Sequence, residues 1–84
     1  MTSPSADWRD DGDSLVRDLR FEDFAAAIAF VNRVAQAAET AGHHPDILVH
    51  GWNNVRLTLS THSAGAVTAA DHALARAIDA LAGD

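Results

Sequence analysis

The chain has 84 residues, 48% hydrophobic and 21% charged, with a formal net charge of −6. It lacks cysteine, which excludes disulfide staples and thiolate zinc sites. Its six basic residues are all arginine and are scattered, which excludes the clustered positive surface that nucleic acid demands, and the negative charge opposes binding to anionic lipid. A domain of this size buries only about 60% of its unfolded surface. Self-association is therefore expected to add burial. The longest apolar run, FAAAIAFV at 24–31, is too short for a membrane span, and no basic segment followed by an apolar core opens the chain. The expected location is the cytoplasm.

Residues 1–7, MTSPSAD, read as a disordered leader, and 8–84 as a single domain. The stretch WRDDGDSLVRDLRF predicts two short strands around a turn at Asp11-Gly12. In the second strand Leu15, Leu19 and Phe21 share one parity, which Arg17 interrupts. A helix is expected over 22–42. Its apolar stripe is read as Phe24, Ile28, Val31, Val34 or Ala35, and Ala38. Glu22 and Asp23 are placed in its first turn, where the helix dipole favours carboxylates. Gly42 is positioned to end it and Pro45 to prevent its continuation. ILVH reads as a short strand and GWNN as a turn. VRLTLSTH, 55–62, is the clearest strand: Val55, Leu57 and Leu59 face one way, and Arg56, Thr58, Ser60 and His62 the other. SAGA is a loop. Thr68 and Asp71 then form a T-x-x-D cap for a second helix whose apolar face is Leu74, Ile78 and Leu81. The expected fold class is α+β, an antiparallel four-stranded sheet with two helices on one face in the order β-β-α-β-β-α. A two-layer domain of this kind leaves one sheet face and an edge strand open to oligomer formation.

Five histidines occur, and three of them, His43, His44 and His62, fall at a helix exit and a strand end that can share one cleft. Imidazoles there can bind a metal or move protons near neutral pH. Adjacent histidines on non-helical backbone rarely aim both rings at one ion, even with Asp46 as a further ligand, so no metal is expected. Taken singly, His43 or His44 could be a polar loop residue that caps helix carbonyls. His50 and His72 receive no role. Ser60 and Ser63 flank His62 but lack an acidic partner placed for a triad. No phosphate-binding glycine loop is present.

A spaced set of these residues resembles the pterin-4a-carbinolamine dehydratases. Glu39-x-x-x-His43-His44-Pro45 is followed by Trp52, then by His62 within TLSTHSAG, then by Asp71. RFEDFAAAIAFVNRVA is also similar to that family's first long helix, and the likeness runs from Leu15 to Ile78. The resemblance implies dehydration of a 4a-hydroxytetrahydropterin to a quinonoid dihydropterin, without metal or cofactor. The fold it implies, an antiparallel sheet with helices on one face, agrees with the pattern read above. It also implies a homodimer or homotetramer, and a functional link to an aromatic amino acid hydroxylase. His43 and His62 would carry the proton transfers and His44 would orient the pterin. Glu39 would orient His43 or raise its basicity. Pro45, Trp52 and Asp71, with the backbone of Thr61, Ser63 and Ala64, would complete the substrate surface. Trp52 also reads as a buried turn aromatic, Asp71 as a helix cap and Glu39 as a solvated helix residue. The family's common tyrosine is Trp52 here, its paired glycine is Gly65-Ala66, and its usual helix before the first strand has no counterpart ahead of Trp8. Dimer and tetramer both stay open. The contrasting reading is a non-catalytic dimerisation or assembly partner of another protein.

Overall fold

The computed structural model describes residues 7–83. The leader assigned to 1–7 therefore lies outside them, save Asp7. Four strands and two helices follow in the expected order: β1 Arg9–Asp10, β2 Leu15–Arg20, α1 Phe24–Ala41, β3 Asp46–His50, β4 Asn54–Leu59 and α2 Ala69–Leu81. The sheet is antiparallel, with strand order β1-β2-β4-β3. Long segment β4 is central because its inward side chains are all large and apolar. Val55, Leu57 and Leu59 are fully buried, and each such residue contributes about 1.5–3 kcal/mol. They pair in register with Leu19, Arg17 and Leu15 of β2. Strand β4 ends at Leu59, short of the expected His62, because Ser60 leaves the ladder before a turn that the Thr61–Ala66 bridge closes.

The helices cover the face that carries these residues. Phe30, Val34, Leu74, Ala75 and Ile78 join the strand residues in one core. The buried stripe of α1 is Ala27, Phe30, Val34 and Ala38. This corrects the expected phase, since Phe24 is 54% exposed and Ile28 and Val31 are only partly buried. The run 24–31 is apolar all round, so periodicity alone does not choose its phase. Phe30 chooses it, by packing its ring 5.1 Å from that of Phe21. Asp23 is not in the first turn but is the N-cap, accepting from the Ala26 N–H at 2.7 Å. Glu22 precedes it.

Arg17 interrupts the apolar parity of β2 for a structural reason. Its buried guanidinium binds Asp79 of α2, and Asp79 also accepts from the Trp8 indole N–H at 2.8 Å. Sheet and helix are thus tied by a charged pair inside the core. The opposite sheet face is mostly polar, with Val16 and Leu48 as its apolar residues. There Asp18 binds Arg9 at 3.0 Å and Arg56 at 2.8 Å, linking β1, β2 and β4. Chiefly the Arg56 hydrogen bond holds the Asp18 carboxyl below its ordinary range, against the effect of burial. β3 is an edge strand, and its Leu48 is 52% exposed. Among the described residues, no helix is long and apolar enough to cross a membrane.

Candidate active site

Helix α1 delivers the histidine pair through a precise stop. Gly42 takes the left-handed conformation, φ 65° and ψ 28°, that a side chain would oppose. Its N–H bonds to the Glu39 carbonyl and the His43 N–H to the Ala38 carbonyl, both at 3.2 Å. This double closure is a Schellman turn. It fixes where His43 leaves the helix, and Pro45 then leads into β3. On the neighbouring strand, β4 delivers Thr61 and His62 to the same end of the sheet, because Asp46 pairs with Thr58.

The two deliveries meet in a cleft of about 390 Å³. It is lined by His43, His44 and Pro45 from one side and by Thr61, His62 and Ser63 from the other. Three expected imidazoles therefore share one cavity. His43 is mostly enclosed, whereas His44 and His62 are exposed.

Asp71 stands behind His43 and is fully buried. Its Oδ1 lies 2.5 Å from Nε2 of His43. Its Oδ2 accepts from the Thr61 hydroxyl and from the Thr68 N–H, each at 2.8 Å. Burial pushes this carboxyl up, but the hydrogen bonds from His43, Thr68 and Thr61 outweigh it and hold Asp71 below its ordinary value. The group is an anion at neutral pH. An ionised carboxylate only accepts, so Nε2 of His43 carries a hydrogen. In the neutral ring the lone pair is then on Nδ1, which becomes the atom free to take a proton. Asp71 is more than the helix cap that the T-x-x-D spacing suggests. It caps α2 and orients an imidazole with the same carboxylate.

Other expected residues fall differently. Glu39 does not reach His43; its carboxylate lies 2.5 Å from Nε2 of His44, the next residue along the chain exit. Both partners are largely exposed, so this pair adds little stability and serves to aim the His44 ring. Trp52 does not join the cleft. It occupies the β3–β4 hairpin tip, the length of β3 from Pro45, or roughly 16 Å at the rise of an extended chain. There it is 60% exposed and holds a positive φ of 60°. It is neither a buried turn aromatic nor a wall of this cavity. Ala64 does not line the cleft, and its N–H is taken by the Thr61 carbonyl at 3.0 Å. The sequence reading missed the Thr61 hydroxyl, which bonds both Asp71 and the Thr68 hydroxyl. The T-H pair before the loop carries that signal only once the neighbouring helix cap is placed beside it. Among the described residues, no group of three or more His, Asp or Glu side chains is arranged to hold a metal ion.

This geometry has close relatives. A protein of Gloeobacter violaceus named "Putative pterin-4-alpha-carbinolamine dehydratase 2" is 56% identical over 79 residues, covering 89% of this chain and 85% of its own. A Nocardia farcinica protein of the same description, without the numeral, is 58% identical over 76 residues, covering 90% and 79%. Among solved structures, a transcriptional coactivator/pterin dehydratase from Brucella melitensis superposes with a TM-score of 0.85 at 35% identity, covering 93% of this chain and 84% of that one. A pterin dehydratase-like protein identified as a RuBisCO assembly factor in the alpha-carboxysome gives 0.79 at 30% identity, covering 100% and 99%. The pterin 4 alpha carbinolamine dehydratase family model matches residues 1–81. With nearly the whole chain matched and relatives above half identity, this chain belongs to the pterin 4 alpha carbinolamine dehydratase family.

Proposed function

We propose that this chain dehydrates a 4a-hydroxytetrahydropterin to the quinonoid dihydropterin and water by histidine acid–base catalysis. The observation that carries the reading is the His43–Asp71 pair opening on a cleft that also holds His62 and His44. The reaction needs two proton transfers. N5 must lose its proton as the C4a=N5 double bond forms, and the C4a hydroxyl must gain one to leave as water. Nδ1 of neutral His43 takes the N5 proton. The resulting imidazolium is stabilised by the Asp71 carboxylate behind it, as in a catalytic triad. His62, across the cleft, gives its proton to the departing hydroxyl. Imidazole suits both tasks because its free titration lies near neutral pH. His44, aimed by Glu39, hydrogen-bonds the pterin ring and sets its depth. Pro45 and Ser63 form the walls. The chemistry is proton transfer within one substrate, and we assign it no metal and no cofactor. The reading also places the protein in the cytoplasm as a homo-oligomer that recycles the pterin of an aromatic amino acid hydroxylase.

The test is the decay of carbinolamine absorbance with purified protein. Catalysis is expected to accelerate it above the spontaneous rate. A folded protein that leaves the spontaneous rate unchanged contradicts the proposal.

A second reading has its own support. The relative identified as a RuBisCO assembly factor matches along the full length of this chain. Phe24, Leu48 and Trp52 also expose apolar surface on residues the cleft does not use. On that reading the chain is an assembly partner. It then keeps its biological role when His43 and His62 are replaced, which the dehydratase reading forbids.

A further inference from the structure

Thr61 lies between the two groups assigned to proton transfer and touches the supports of both. Its backbone anchors the turn that carries His62. The Thr61 N–H bonds to the Ala66 carbonyl at 3.0 Å, and its own carbonyl accepts from Ala64 at 3.0 Å and Gly65 at 2.9 Å. Gly65 closes that turn with a positive φ of 63°. The side chain of Thr61 faces the other way. Its hydroxyl lies 2.8 Å from Oδ2 of Asp71 and 2.7 Å from the hydroxyl of Thr68.

The hydrogens of this cluster can be assigned from chemistry. Asp71 is ionised and only accepts, so Thr61 must spend its single hydroxyl hydrogen on Oδ2. The Thr68 hydroxyl then donates to Thr61. The chain of donation runs from Thr68 through Thr61 to Asp71, and it meets His43 Nε2–H on the other carboxylate oxygen. One oxygen of Asp71 thus holds the His62 turn while the second holds the His43 ring.

We propose that Thr61 is a positioning residue whose hydroxyl couples the His62 turn to the Asp71–His43 pair, so that acid and base keep one mutual geometry. The proposal rests on the dehydratase reading for its catalytic consequence, but the coupling itself is a property of the free protein. Without the hydroxyl, Asp71 Oδ2 keeps only the Thr68 N–H, the Thr68 hydroxyl loses its acceptor, and the tilt of the carboxylate behind His43 is fixed by one hydrogen bond fewer. Misplacement on the ångström scale costs a proton-transfer site roughly tenfold to a hundredfold in rate.

The experiment compares wild type, Thr61→Val and Thr61→Ser by two readouts. The first is NMR of the substrate-free protein, in which nitrogen-15 shifts report the His43 tautomer and carbon-13-edited proton spectra report whether the Thr61 hydroxyl proton exchanges slowly. The second is steady-state dehydration. Wild type is expected to show the Nε2–H tautomer and a slowly exchanging Thr61 hydroxyl. Thr61→Val, nearly the same shape, keeps the accepting carboxylate behind Nε2 and is expected to shift and broaden the His43 ring-nitrogen signals and to drop kcat about tenfold or more, with KM within about threefold. Thr61→Ser restores both. The proposal is overturned if Thr61→Val leaves either the His43 ring-nitrogen signals or kcat unchanged, or if Thr61→Ser behaves like Thr61→Val. It is equally overturned if the wild-type hydroxyl proton exchanges freely, a result that needs no variant to fold. An inactive wild type with the expected NMR signature would instead locate the failure in the dehydratase reading.

Discussion

Asp71→Asn changes one atom of a fully buried carboxylate and tests what that carboxylate is for. The amide has one accepting oxygen. Placed at the Oδ2 position, it keeps the donors Thr61 and Thr68, and the amide nitrogen then faces Nε2 of His43. Two N–H groups cannot share that 2.5 Å gap, so the imidazole must move its hydrogen to Nδ1. That is the atom required as base. The opposite placement sets the amide nitrogen against two donors instead of one, and it is the costlier choice. The same substitution in a hydrolytic triad removes about 10⁴ in kcat through the wrong tautomer. Here we expect a loss of about 10³ or more, which at 1.36 kcal/mol per tenfold is roughly 4 kcal/mol of transition-state stabilisation. KM should change little, because Asp71 sits behind the cleft rather than in it. Folding stability should fall by about 1.5–3 kcal/mol, the contribution of a hydrogen bond to a charged group. Initial rates of carbinolamine decay, with circular dichroism to verify the fold, give both numbers. A folded Asp71→Asn protein within about threefold of the wild-type kcat would refute the orienting role and leave Asp71 as a helix cap.

Four further outcomes follow from the same structure. Phe30→Ala should cost about 3–5 kcal/mol in chemical denaturation, a large share of the roughly 4–12 kcal/mol such a domain holds, whereas exposed Phe24→Ala should cost under about 1 kcal/mol. Equal costs would show that the buried face of α1 is wrongly phased. Asp79→Ala should destabilise by about 1.5–3 kcal/mol, because it removes a buried charged acceptor shared by the Arg17 guanidinium and the Trp8 indole, while Arg17 keeps its 3.4 Å contact with Asp7. Trp52→Asn should leave dehydration unchanged and the Tm equal or higher, since asparagine tolerates a positive φ better than tryptophan and the side chain is mostly exposed. Acid should weaken the fold in a defined sense. The Asp71 carboxyl is depressed in the folded state, so its stabilisation is complete above the unfolded value near 3.9 and is lost as pH falls through the folded value. Thermal melts from about pH 5 downward should therefore show a steeper loss for wild type than for Asp71→Asn.

The placement of the strands and the exit of α1 were legible because single residues dictate them. Alternation at 55–59 marks β4, and Gly42 with Pro45 stops α1 where expected. The phase of α1 was not legible, because eight consecutive apolar residues satisfy several phases until Phe21 supplies a partner ring for Phe30. Arg17 looked like an interruption because its partner, Asp79, lies 62 positions away in α2. The site divides in the same way. The histidines announce themselves by type and spacing. Their supports do not, because a carboxylate can serve either neighbour. Glu39 stands four residues before His43 on a helix and nevertheless pairs with His44, since the Schellman turn swings His43 inward toward Asp71. Trp52 fits a spacing but not a distance: the one-dimensional interval spans an entire strand that leads away from the cleft.

The central claim is that His43 and His62 move protons for a 4a-hydroxytetrahydropterin. The most direct measurement is the rate of carbinolamine decay with wild type, His43→Ala and His62→Ala at equal concentration, each shown to be folded. The account predicts acceleration by wild type alone, with both variants reduced to the spontaneous rate. Wild type without acceleration, or variants that retain it, would contradict the claim.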